Sequence, residues 1–227
     1  MRININRRGR NGVLLAMSLA VSGCATNGSM ASDPSVAVSC TTTKQPEHQL
    51  QLDAVDALMA RSQPYAALAK LESEGLATEH HWVRLGQLMA ATNQIAEAEE
   101  VFHALAGECD SAMGHHGLGL VYLKQKKLDQ GLAELATARK MAPSSADVRN
   151  DYGYALLLTG QDYEAIFELR TAFELADGEG AVRQNLAAGY VLTGDRSGLA
   201  MLRDQYALST AETAHAERLA DDIRRLR

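Results

Sequence analysis

The chain has 227 residues, of which 46% are hydrophobic and 22% charged, and its formal net charge is −6. That composition suits one or two globular domains, and the acidic balance, with no basic stripe, excludes a surface for nucleic acid. Aromatic residues make up only 5%, Ala, Leu and Glu dominate, and long Val/Ile/Thr/Tyr runs are lacking, so the sequence predicts an all-α protein.

The first ten residues hold Arg2, Arg7, Arg8 and Arg10, and an apolar run from Val13 to Val21 follows, interrupted by Ser18. The run is shorter than the roughly 20 residues a spanning helix needs. A basic start and a short apolar core read as an export signal over residues 1–23. It closes on Val21-Ser22-Gly23-Cys24, which resembles a bacterial lipobox. The resemblance implies cleavage before Cys24 and a lipid on its thiol, the one covalent cofactor expected. Ala25 after the cysteine, in place of Asp, implies sorting to the outer membrane with the protein facing the periplasm. An uncleaved anchor, or an ordinary signal with a chance cysteine, is the competing reading. Residues 24–46 are small and polar without periodicity and predict a disordered tether.

From residue 47 onward a helical pattern repeats. A weak pair at 47–76 carries Leu58, Ala67 and Leu71. The segment 79–111 has Trp82, Leu85-Gly86, Ala98 and Phe102. The segment 112–145 has Leu118-Gly119, Tyr122, Gly131, Leu135, Ala138 and Pro143. The segment 146–179 has Tyr152-Gly153, Leu156, Ala165, Leu169 and Ala172, and 180–209 begins well with Leu186-Ala187, Tyr190 and Gly194 before its second helix loses the pattern. Gly119 and Gly153 are 34 apart, as are Leu135 and Leu169, and Ala138 and Ala172. Residues 210–227 read as a final amphipathic helix covering the end of the stack.

These residues and their spacing resemble the tetratricopeptide (TPR) repeat. The fold expected is therefore a solenoid of antiparallel helix pairs over 47–209 with a capping helix at 210–227, eleven helices in all. Small slots let two helix backbones approach, and bulky slots fill the gap to the next pair. The stretch Asp151-Tyr152-Gly153-Tyr154 through Thr159-Gly160, with Asn185 to Tyr190 and Gly194-Asp195, is similar to the repeats of Tad (Flp) pilus-assembly lipoproteins. That resemblance implies a non-enzymatic scaffold that helps build an outer-membrane secretin. The alternative is a general envelope lipoprotein that recruits peptidoglycan or polysaccharide enzymes.

Chemistry-bearing motifs are lacking. No H-E-x-x-H, C-x₂-C, G-x-S-x-G, S-x-x-K or Gly-rich phosphate loop occurs, so neither an enzyme, a metal site nor a small-molecule substrate is expected. His80-His81, His103 and His115-His116 read as solvated surface histidines. With Cys24 acylated, Cys40 in the tether and Cys109 in a loop are the remaining thiols, and in an oxidising compartment they either bridge or stay free. The TPR resemblance places the binding groove on the first helix of each pair. It assigns His116, Leu120, Lys124, Asp147, Asn150, Tyr154, Gln184 and Ala188 to a concave face that takes a protein segment, a secretin by the Tad resemblance. Glu168 is expected on the convex side, where its loss should do little.

Overall fold

The computed structural model describes residues 36–43 and 45–227; the segment read as an export signal and Cys24 lie outside the described residues. Eleven α-helices and no strand occur among them: α1 (Pro46–Ala60), α2 (Pro64–Glu74), α3 (Glu79–Ala91), α4 (Ile95–Cys109), α5 (Ala112–Lys124), α6 (Leu128–Met141), α7 (Ala146–Leu158), α8 (Asp162–Leu175), α9 (Ala181–Thr193), α10 (Arg196–Tyr206) and α11 (Thr210–Leu226). Each helix packs on the next through α10, and first helices also touch first helices (α3 with α5, α5 with α7, α7 with α9), as a solenoid of helix pairs requires.

Local chemistry sets the boundaries. Prolines at the first turn open α1 and α2, where the missing N–H costs no helix bond. Ser111, Ser145 and Ser209 cap α5, α7 and α11 by accepting from backbone N–H groups three residues on. Within each pair the turn needs one left-handed residue, supplied in succession by Ser62, Asn93, Lys126, Gly160 and Gly194. Asn and Gly tolerate that conformation; Lys126 and Ser62 bear its steric cost.

The slots read from the sequence do the packing. A Cβ on Gly153 would lie 2.7 Å from Leu169 Cγ, and one on Gly119 would lie 2.6 Å from Leu135 Cγ. Gly86 on α3 and Gly117 on α5 sandwich the buried ring of Phe102 on α4; a Cβ on Gly86 would sit 2.7 Å from its Cζ. Val101, Phe102, Leu105 and Leu118 sit in one core cluster, and Leu157, Leu169, Leu186 and Tyr190 in a second.

Two arrangements differ from expectation. The tether does not run as far as residue 46. Val36 and Val38 pack against the first core cluster, Ser39 Oγ donates to the Ala77 carbonyl at 3.0 Å, and the Thr41 carbonyl accepts from Glu79 N–H at 2.9 Å. A disulfide joins Cys40 to Cys109, their Cα atoms 5.2 Å apart. Cys109 is the last residue of α4, not a loop residue. Residues 36–43 thus form a strap, because two valines bury apolar surface and the bridge holds the segment down.

The second difference is α11. It does not extend the stack beyond α10; it packs on the first helices α9 and α7. Ala216, Ala220 and Ile223 are fully buried there. Arg224 Nη1 bonds Asp221 and its Nη2 donates to the Val191 carbonyl at 3.2 Å. Arg227 Nε donates to the Leu157 carbonyl at 2.8 Å. A capping box at Ser209 and Glu212 fixes the start of the helix.

Candidate protein-binding face

The concave face is built by position within the repeat. Gln87, Leu120, Tyr154 and Ala188 occupy the same place on α3, α5, α7 and α9, spaced by 33, 34 and 34 residues. Along this row the surroundings change. Ala188 is completely buried. Tyr154 packs into the same cluster as Ala216 and Ile223, and burial, with the Asp222 carboxylate second, pushes its hydroxyl above the usual tyrosine range. Leu120 is 38% exposed and so is Met113, two turns earlier on α5. The row is therefore covered beneath α11, fully at Ala188 and in part at Tyr154, and it opens at Leu120, where α3 and α5 line a cavity.

The open part forms a cavity of about 180 Å³. Ala90, Phe102, Met113, Leu120 and Val121 give it an apolar floor, with Gln87, His116 and Lys124 at the rim. Lys124 Nζ donates to the Ala90 carbonyl at the end of α3, a cation placed against the negative end of a helix dipole. His116 is buried and its Nε2 lies 2.7 Å from Asp151 Oδ2. The arrangement can hold an apolar side chain and offers polar groups around it. It contains no nucleophile paired with a base.

Of the eight expected groove residues, His116, Leu120 and Lys124 are brought together at this cavity. Asp147 is exposed at the start of α7. Asn150 is buried, and its amide is spent inside the protein: Oδ1 accepts from Asn185 Nδ2 at 2.9 Å and Nδ2 donates to Asp151 at 3.1 Å. Gln184 is half-buried on α9. Tyr154 and Ala188 are not a free surface, because α11 of the same chain covers them.

The histidines also need correction. His81 is fully buried, with Nδ1 2.7 Å from Thr78 Oγ1, Nε2 3.3 Å from Gln51 Oε1, and its ring edge-on to His48 at 5.3 Å. His115 pairs with Glu134 at 2.6 Å. Only His80 and His103 of the five stand exposed. Among the described residues no group of three or more His, Cys, Asp or Glu side chains is placed to hold a metal ion, and no helix is long and apolar enough to cross a membrane.

Glu168 is likewise not a solvated convex residue. It is 4% exposed; Oε1 accepts from Arg139 at 2.6 and 2.9 Å and Oε2 from Arg149 at 2.5 Å. The carboxylate ties α6, α7 and α8 together. Its hydrogen bond raises the Arg139 pKa further above the usual value. Beside it the convex side opens into a depression of about 480 Å³ lined by Tyr152, Tyr163 and Phe167, the last two 85% and 63% exposed. The sequence signal for this patch is two aromatics at i and i+4 outside the packing slots of α8.

A helix-pair solenoid with an apolar concave groove defines a protein-interaction class of fold. The chain is 33% identical over 180 residues, 78% of its length, to the TPR repeat-containing protein PA4299 of Pseudomonas aeruginosa, of which it covers 72%. It belongs to the tetratricopeptide-repeat protein family. No family model matches the chain. Among solved structures, the thermophilic TPR protein TTC0263 of Thermus thermophilus superposes with a TM-score of 0.62 at 19% identity, over 77% of this chain and 97% of that one. YrrB, a TPR protein with an unusual peptide-binding site, gives 0.52 at 18% identity over 74% and 90%. These likenesses show the fold.

Proposed function

We propose that the chain is a non-enzymatic scaffold that holds a protein partner on the open part of its concave face, tethered to the outer membrane by a lipid on Cys24. The observation that carries this reading is the cavity over α3 and α5, where Leu120 and Met113 stand exposed within an apolar lining. Apolar side chains left open together in a groove mark a surface that a partner covers. The peptide-binding site named for YrrB supports the same use of the fold. The partner class is a pilus-assembly protein, with the secretin first, on the strength of the Tad-like stretch around Asp151 to Gly160.

The experiment is a charge placed in the groove. Leu120→Glu adds a carboxylate where the side chain is already 38% exposed, so folding should be preserved. In cells the variant should keep its helicity and its membrane fraction yet lose secretin multimers and pili. A folded Leu120→Glu protein that supports normal secretin assembly overturns the reading. The anchor is tested separately: Cys24→Ser should release the protein from the outer-membrane fraction and abolish acyl labelling.

A further inference from the structure

The buried residues of α11, Ala216, Ala220 and Ile223, lie at i, i+4 and i+7. This is the spacing with which an amphipathic helix lays one face into a groove. The groove beneath it is defined by repeat-equivalent positions: Ala188 on α9 and Tyr154 on α7 in one row, Val191 and Leu157 in the next. The basic end of α11 then steps along the carbonyls that close the first helices. Arg224 takes Val191 O on α9, and three residues later Arg227 takes Leu157 O on α7.

The same two rows continue without α11. Leu120 and Gln87 extend the first, Leu123 and Ala90 the second. Ala90 O already holds Lys124 Nζ. Leu123 O receives the Lys126 backbone N–H at 2.9 Å and, among the described residues, no side-chain cation. The row of carbonyls therefore has one position, on α5, that lacks the cation its neighbours hold, and the next residue along, Lys124, lines the open apolar cavity of about 180 Å³.

We propose that the open groove over α3 and α5 binds an amphipathic helix of a partner protein, built like α11: apolar residues at i, i+4 and i+7 and arginine or lysine in the last turn. It lies in line with α11. Its apolar face seats on Leu120, Met113 and Ala90, with the cavity taking one bulky side chain, and its terminal cation takes the Leu123 carbonyl. This inference rests on the concave-face reading above and adds the class of ligand. The observation behind it is continuity: the chain already seats such a helix on the equivalent positions one and two repeats further on.

The probe is a synthetic peptide of residues 209–227 of this chain, added to the full chain in detergent. Fluorescence anisotropy should show saturable binding, weakened by about tenfold or more by Leu120→Glu in the protein and likewise by Glu at Arg224, Arg225 and Arg227 in the peptide. A photo-crosslinker at Ala220 of the peptide should label α5 or α3. Absence of saturable binding, binding indifferent to Leu120→Glu, or labelling confined to α7 and α9 (the peptide merely replacing α11) each overturns the proposal. If the peptide fails while Leu120→Glu still abolishes secretin assembly in cells, the helix class is wrong and the concave-face reading stands. If Leu120→Glu has no cellular effect, that reading itself has failed.

Discussion

Glu168 shows why single residues of a solenoid cannot be assigned to a face by charge alone. Its position on a second helix, away from the Ala and Leu slots, reads as solvent-facing, yet Arg139 from α6 and Arg149 from α7 converge on it. Truncation leaves two guanidinium groups without their partner, and Arg149 is only 13% exposed. Glu168→Ala should therefore destabilise the fold by about 3 kcal/mol, the lower end for breaking a buried pair because Arg139 keeps some solvent. Urea titration of the variant checks it; a change within about 0.5 kcal/mol, as at an ordinary surface site, would contradict the network. His81 gives a second prediction at this scale. Burial first, then His48 on α1 and His80 beside it, lower its pKa from 6.5, opposed by Glu74 on α2. The unfolded chain takes up the proton as pH falls through 6.5 and the folded chain resists it, so stability is complete above 6.5 and declines below. The capping carboxylates of Asp195 and Glu212, held below their usual values by hydrogen bonds from Gly198, Ser197 and Ser209, act in a separate window below about pH 4.5. Melting curves from pH 7.5 to 5.5 should fall for the wild type and fall less for His81→Gln.

At the scale of elements, the strap and α11 are the parts that the repeat pattern did not prescribe. The strap closes a loop whose ends are 69 residues apart in sequence, which in the chain-entropy account stabilises by about 2–4 kcal/mol. Reduction, or Cys40→Ser with Cys109→Ser, should lower the denaturation midpoint accordingly and free residues 36–43 to proteolysis. An unchanged midpoint on reduction would show that the strap lies outside the cooperative unit. The left-handed turns offer a gain: Lys126→Asn should raise stability by up to about 1 kcal/mol, since Asn tolerates the conformation that Lys126 holds at φ +63. The eleven helices, the Gly153–Leu169 and Gly119–Leu135 contacts and the small slots could all be read from spacing, because repeat packing is local and each slot is filled by a residue type. The path of α11 could not. An amphipathic stripe of Ala216, Ala220 and Ile223 says that one face is buried and leaves open against which helix; only the loop at Ala207 to Ser209 and the carbonyls at Leu157 and Val191 decide that. The strap was hidden for a similar reason: Val36 and Val38 are too few to make a period, and a polar composition masked them.

For the molecule as a whole, the consequence is a concave face in two parts. Over α7 and α9 it is filled from within, so Tyr154 and Ala188, which repeat register alone assigns to a partner, serve the protein's own packing. Over α3 and α5 it is open, and His116, Leu120 and Lys124 remain the groove. Register predicts which residues face inward; it cannot predict that a later segment of the same chain lies on them. The central claim is that the open part is the working surface. The measurement that tests it most directly is co-purification of the proposed secretin partner with the full chain, compared between Leu120→Glu on the concave side and Tyr163→Ala with Phe167→Ala on the convex side, all shown to be folded by circular dichroism. Loss of the secretin with Leu120→Glu and its retention with the convex pair is the result predicted. Retention with Leu120→Glu and loss with the convex pair would contradict it and move the function to the aromatic patch of α8.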